Sequence, residues 1–144
     1  MTDRHGQARP LLIEVPFKVR TYDIDFAGHV NNGVYIRWLE DLRSEFLAIY
    51  YPFERLNEGK VFPVLHSTHI VYKKPLMLTD APVGRIWCAE LGRATFTLDA
   101  EFEADGEIRA TARQRGMLIQ LGSGKAARFP ETVIDHFRQA KTPG

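Results

Sequence analysis

The chain has one cysteine, Cys88, in 144 residues. That excludes an internal disulfide framework and a zinc site built from cysteines. No apolar run approaches the roughly 20 residues of a membrane span. No charge dominates, with 19 Lys and Arg against 18 Asp and Glu. Nucleic acids and anionic membranes need a concentrated positive field, so neither is favoured as a partner. The opening MTDRHGQARP lacks an apolar h-region and does not read as a secretory signal, so a reducing cytoplasm is the expected location. There is no G-x-S-x-G elbow, which leaves a serine-hydrolase route without support. GSGK falls short of a phosphate loop, because Ile119 stands where the first glycine belongs and Ala126 follows Lys125.

What is present suits one packed domain. Hydrophobic residues make up 44% and charged residues 26%, enough apolar surface for a core. Residues 1–10 read as a flexible tail and residues 11–144 as a single domain. LIEVPFKVRTY alternates, with Ile13, Val15, Phe17 and Val19 on one face, which predicts a half-buried strand. Pro16 places it at an edge or makes it irregular. From Asn32 the period lengthens to about 3.6. Tyr35, Trp38, Leu39, Leu42, Phe46, Ile49 and Tyr50 share a stripe, opposite Arg37, Glu40, Asp41, Ser44 and Glu45. That helix should end near Pro52.

Beyond ERLNEGK the pattern is strand-like. Strands are expected over 61–73, over VGRIWCAEL and over ATFTLDAEF, and IRATARQRGMLIQL is the return strand. Asp105-Gly106 suits a two-residue hairpin turn, and Gly116 is a candidate bulge. Pro130 opens a short last helix. One apolar helix and five strands predict an α+β architecture: a curved antiparallel sheet of about five strands wrapped around the helix. The open sheet edges need a partner, most simply a second copy of the chain.

The junction DIDFAGHVNNGVYIRWLEDLR, Asp23 to Arg43, sets acids, a glycine, a histidine and paired asparagines before that helix. In the plain reading these are loop residues, and Asn31 or Asn32 is the N-cap. In the functional reading, the free amides of the helix's first turn stabilise an oxyanion. An upstream carboxylate then acts on the same carbonyl as base or nucleophile. Asp23 and Asp25 have the same parity, so pattern alone does not choose between them.

The string D-x-D-x-x-G-H-V-N-N-x-x-Y followed by IRWLEDLR resembles the hotdog-fold acyl-CoA thioesterases related to 4-hydroxybenzoyl-CoA thioesterase. IVYKKPLMLTD, LGRATFTLDAEF and GKAARFPE resemble later segments of that family in the same order, so the resemblance covers roughly residues 13–135. Thr79-Asp80 stands where the family often has Gly-Asp. The resemblance implies that Asp25 is the catalytic carboxylate and that amides near Asn32 and Gly33 bind the thioester oxygen. It implies hydrolysis of an acyl-CoA or acyl-carrier-protein thioester by a homodimer or dimer of dimers. No cofactor is expected, since coenzyme A is part of the substrate.

His29, Asn32 and Tyr35 are candidate substrate contacts, and Arg93, Lys125 and Arg128 are candidate contacts to coenzyme A phosphates. His66 and His69 lie three residues apart, a poor spacing for a metal on a strand. Cys88 reads as a packing residue. Two other functions compete. One is hydration or dehydration of an enoyl thioester through a paired Asp25 and His29, and the other is acyl-CoA binding without turnover.

Overall fold

A computed structural model describes residues 7–141. The expected stripe forms α1 (Asn32–Tyr50), a rod of roughly 28 Å at about 1.5 Å per residue. Val34, Tyr35, Trp38, Leu39, Leu42 and Phe46 are buried along it. Ile49 belongs to that stripe by spacing but is exposed, while Leu47 and Tyr50 of the same turn pack against the cores. Around α1 lie β1 (Ile13–Pro16), α2 (Phe53–Gly59), β2 (Val61–Tyr72), β3 (Val83–Leu91), β4 (Thr95–Ala104), β5 (Glu107–Gln120) and α3 (Glu131–Lys141). The sheet runs β1-β3-β4-β5-β2, with every neighbouring pair antiparallel. This is the five-stranded sheet and central helix that the alternation predicts.

α1 lies against β1 and β3. Its stripe packs with Ile86, Leu98, Ala100, Phe102 and Ala110. A second core, built from Tyr51, Leu56, Val61, Leu118, Phe129 and Val133, closes the far end of β2 and β5 under α2 and α3. Cys88 is buried in the main core, as a packing residue should be. Burial pushes its thiol up to about 12, so it stays protonated and inert near neutral pH.

Three local expectations need correction, and one unassigned segment takes a definite form. The first strand is four residues long rather than eleven. Pro16 has no N–H to donate, and the Phe17 amide turns to the Pro82 carbonyl at 2.8 Å. ERLNEGK, which carries no assignment from its pattern, is mostly helix, forming α2, whose C-cap Lys60 takes a left-handed conformation with φ 53°. The bulge beside Gly116 falls on the opposite strand, since Leu65 pairs with Gly116 and Ser67 with Arg115, leaving His66 as the extra residue. The expected tail ends before residue 10. The Arg9 guanidinium stacks 4.1 Å from the Trp87 ring centroid and pairs with Glu101 at 2.7 Å, while the Cys88 amide donates to the Pro10 carbonyl. The remainder of that expectation, residues 1–6, lies outside the described residues. Asp105 and Gly106 form the hairpin turn with φ of 52° and 74°, as a primed turn requires.

Two features bear on the site. β1 and β2 are the sheet's edges. β1 is blunted by its length and its proline, whereas β2 is a long unpaired edge. It carries Phe62, Val64, Val71 and Tyr72 well exposed. Among the described residues, no helix is long and apolar enough to cross a membrane.

Candidate active site

The segment between β1 and α1 decides which acid faces outward. Thr21–Asp23 is a turn of 3₁₀ helix, and residues 25–29 close a second turn in which the Asp25 amide donates to the His29 carbonyl at 2.8 Å. The strand parity that makes Asp23 and Asp25 equivalent therefore does not apply. Asp23 is 4% exposed. Its two oxygens accept from the Arg20 amide at 2.8 Å and the Arg37 guanidinium at 3.1 Å, and its carbonyl accepts from the Asn31 amide. It is a buried, fully engaged brace.

Asp25 is half-buried. Only its Oδ1 is engaged, accepting from the amides of Ala27 at 2.9 Å and His29 at 3.1 Å. Among the described residues its Oδ2 accepts no hydrogen bond. Gly28 closes the turn with φ +82°, a conformation that costs glycine little. Backbone bridges from Ile24 to Val30 and from His29 to Met77 pin both ends of the loop.

Asn31 caps α1. Its side-chain oxygen accepts from the Gly33 amide at 2.9 Å, and its carbonyl accepts from Val34. The Gly33 amide, expected near a substrate oxygen, is here engaged by the cap. The Asn32 amide, with no partner among the described residues, is the first-turn donor that remains. Macrodipole and free N–H coincide there.

A cleft of about 230 Å³ joins these parts, lined by Asp25, His29, Val30, Asn32, Tyr35, Tyr72 and the Lys73–Pro75 segment. Tyr35 is buried, with its ring 5.4 Å from that of Tyr72. Burial first, then the neighbouring Tyr72 phenol, pushes the Tyr35 hydroxyl up to about 12. It is therefore a neutral donor at ordinary pH. Tyr72 donates to the Asn32 carbonyl at 3.3 Å, tying β2 to the start of α1. Tyr72, Lys73 and Lys74 are site residues that sequence reasoning misses. The signal is the Tyr-Lys-Lys-Pro string at the end of a strand.

His29 lines the cleft, but its link to Asp25 runs through its backbone amide rather than its imidazole. The Asp–imidazole pair that hydration chemistry needs is not formed. Arg93, Lys125 and Arg128 are not brought to the cleft. The Gln120 amide donates to the Lys125 carbonyl, and the Phe129 amide to that of Arg93, so all three sit at the Gln120 end of β5. Tyr72 pairs with Ala110 at the other end, roughly 33 Å away at about 3.3 Å per residue. Among the described residues, no three His, Cys, Asp or Glu side chains cluster as metal ligands would.

Residues 19–137 match a family model described as the thioesterase-like superfamily. The chain is 31% identical over 116 residues to the long-chain acyl-CoA thioesterase FadM of Escherichia coli (strain K12), covering 79% of this chain and 88% of that relative. It is similar to the crystal structure of a thioesterase from Thermus thermophilus complexed with coenzyme A and zinc. There the TM-score is 0.73 at 29% identity, over 89% of this chain and 92% of that one. A hypothetical protein from Aquifex aeolicus matches with a TM-score of 0.77 at 26% identity, over 87% and 98% of the two chains.

Proposed function

Because the chain belongs to the thioesterase-like superfamily, and is a thioester hydrolase by that membership, we propose that it cleaves acyl-coenzyme A thioesters to the free acid and coenzyme A. The observation that carries this reading is one cleft lined by Asp25, whose Oδ2 accepts no hydrogen bond among the described residues, by Asn32 at the start of α1 and by Tyr35.

The thioester carbonyl oxygen rests on the Asn32 amide, where negative charge is stabilised as the carbon becomes tetrahedral. Oδ2 of Asp25 is the reacting atom, whether it adds to the carbonyl carbon or takes a proton from the water that adds. Oδ1, held by two amides, fixes the carboxylate's orientation. The C–S bond then breaks, and the thiolate leaves readily because thiols titrate near about 8.5; where Oδ2 itself has added, this leaves a mixed anhydride on Asp25, which a water then cleaves to the free acid and the restored carboxylate. A strong general acid is not needed. Tyr35, as a neutral phenol, positions the acyl group rather than transferring a proton. A panel of acyl-CoAs, from acetyl to palmitoyl with benzoyl and phenylacetyl forms, tests the reading through thiol release. Release from at least one of them is expected. No release from any would count against it.

The working form is a homodimer or a larger assembly of dimers. The exposed β2 edge, with Val71 and Tyr72 beside the cleft, and the fully exposed Phe26 next to Asp25 support this. An apolar unpaired strand of that length aggregates unless it is covered. Light scattering at micromolar concentration should give twice the chain mass of 16.5 kDa or a multiple of that. A clean monomer would contradict the arrangement.

A further inference from the structure

The hairpin end of β5 holds a charged residue, Arg109, that is only 8% exposed and that hydrolysis does not use. The strand carries one extra residue there. Phe102 of β4 pairs with Ala110, and Glu103 with Ile108, so Arg109 has no residue opposite it. A bulge of this kind re-aims a side chain. Ile108 lines an open groove on the outer face of the sheet with Val71 and Thr111, whereas Arg109 is buried beneath the segment that follows β2.

This one residue fastens that segment at both ends. The Arg109 carbonyl accepts from the Lys73 and Lys74 amides at 2.8 and 3.0 Å. Nη1 of its guanidinium donates to the Pro75 carbonyl at 2.7 Å and to Oδ2 of Asp80 at 3.3 Å. The same Asp80 oxygen accepts from the Met77 amide at 2.8 Å. Residues 73–80 therefore form a strap held on Arg109. The middle of the strap meets the Asp25 turn. The Leu76 carbonyl accepts from the Val30 amide at 2.8 Å, and Met77 bridges His29. His29 is tied to Asp25 twice. Its carbonyl accepts from the Asp25 amide at 2.8 Å, and its amide donates to Oδ1 at 3.1 Å.

We infer that Arg109 is a positioning residue for the reaction: through Pro75, Asp80 and the strap it holds the His29 turn, and with it the Asp25 carboxylate, in place at the cleft. The inference rests on the function proposed above. The cost of the arrangement argues for a role beyond holding the sheet together. A guanidinium is taken out of water, and its buried Nε–H has no partner among the described residues. Apolar residues of similar volume often replace a buried ion pair with no loss of stability. What they do not supply is a donor shared by two acceptors of one loop. Reacting groups need placement to within about 0.5 Å, and a loop takes that precision from the groups that fasten it.

The test uses Arg109→Met, alone and combined with Asp25→Asn. Asp80→Asn is a milder second variant that keeps an oxygen for the Met77 amide. Amide hydrogen exchange read by mass spectrometry reports on the strap directly. In Arg109→Met the peptide covering His29 and Val30 should exchange roughly tenfold faster or more, with the α1 peptides beyond Trp38 unchanged. On an acyl-CoA that the wild type cleaves, kcat should fall about 10- to 100-fold, with KM staying within about threefold. Asp80→Asn should move both readouts the same way by less, which decides the matter if Arg109→Met does not fold. In the Asp25→Asn background, Arg109→Met should lower the residual turnover little further, since a residue that acts through Asp25 has nothing left to position. A merely structural role would lower turnover by the same factor in both backgrounds. The inference is overturned if exchange at His29 and Val30 is unchanged in the folded variants, if kcat is unchanged, or if the two losses multiply. If the wild type cleaves no acyl-CoA, the proposed function falls, and the exchange measurement still decides whether Arg109 holds the Asp25 turn.

Discussion

Replacing Asp25 by Asn lowers the turnover number on an acyl-CoA substrate by roughly 10²–10⁴, the range for losing a group that adds to or activates the attacking atom, while the melting temperature stays near that of wild type. The amide oxygen can still accept from Ala27 and His29, so the turn keeps its shape and only the reactive carboxylate is lost. Asp23→Asn should behave differently. That side chain is buried against Arg37 and the Arg20 amide, so losing its charge destabilises the brace by about 1–3 kcal/mol. Thermal melting reads this as a fall of roughly 3–10 °C. Any loss of activity in that variant should be recovered at lower assay temperature, which a missing reactive group would not permit. If Asp25→Asn keeps full activity and Asp23→Asn loses it with an unchanged melting curve, the assignment of the two acids is reversed.

Gly116→Ala should cost about 3 kcal/mol, the upper part of the range for overpacking, and lower the melting temperature by roughly 6–12 °C. A Cβ at that position would lie 2.2 Å from the Val64 carbonyl oxygen and 2.6 Å from the tip of the Phe96 ring. The first of these is backbone in a paired strand and cannot rotate away. The strand has to move, and the bulge at His66 directly opposite ties any movement to the register of β2. Gly59→Ala is the matched control. It lies at the end of α2, where the nearest atom to an added Cβ is a Val61 methyl at 3.6 Å. The effect there should be small, or stabilising by a few tenths of a kcal/mol. Equal melting temperatures for the two variants would show that the close approach at Gly116 is relieved at little cost.

The parts of the molecule that are legible in the sequence are those where one period runs unbroken against one apolar surface. α1 is nineteen residues of such a stripe, and β3 spans the VGRIWCAEL segment. The hairpin turn follows from Asp105-Gly106 because that pair adopts positive φ easily. The misreadings have local physical causes. α2 carries no readable signal because it is seven residues long, too short to display a helical period. Gly116 signals close approach of backbone rather than an extra residue, so the glycine points to the wrong strand for the bulge. Arg9 docks through its stacking on Trp87 and its ion pair with Glu101, long-range contacts that a polar opening segment does not announce.

The site follows the same pattern. Its position at the head of α1 is readable from the junction. The choice between Asp23 and Asp25 comes only from resemblance, because a 3₁₀ turn and a side-chain-capped turn break the alternation there. The division of labour between Asn31 as cap and Asn32 as free amide depends on which side chain reaches the Gly33 amide, and neighbouring identical residues conceal that. Arg93, Lys125 and Arg128 lie at the end of β5 away from the cleft of their own chain, a separation that residue type alone does not reveal. β2 and β5 pair antiparallel, Val61 with Gln120 and Tyr72 with Ala110, which sets the segment after β5 at the opposite end from Tyr72.

The most direct measurement is a crystal structure with a non-hydrolysable ketone analogue of an acyl-CoA bound. The ketone oxygen is expected about 2.7–3.1 Å from the Asn32 amide nitrogen, with Oδ2 of Asp25 facing the ketone carbon directly or through one water. A ligand whose ketone lies away from both groups, for instance in the apolar cavity beside Phe46 and Leu118, would contradict the proposed chemistry.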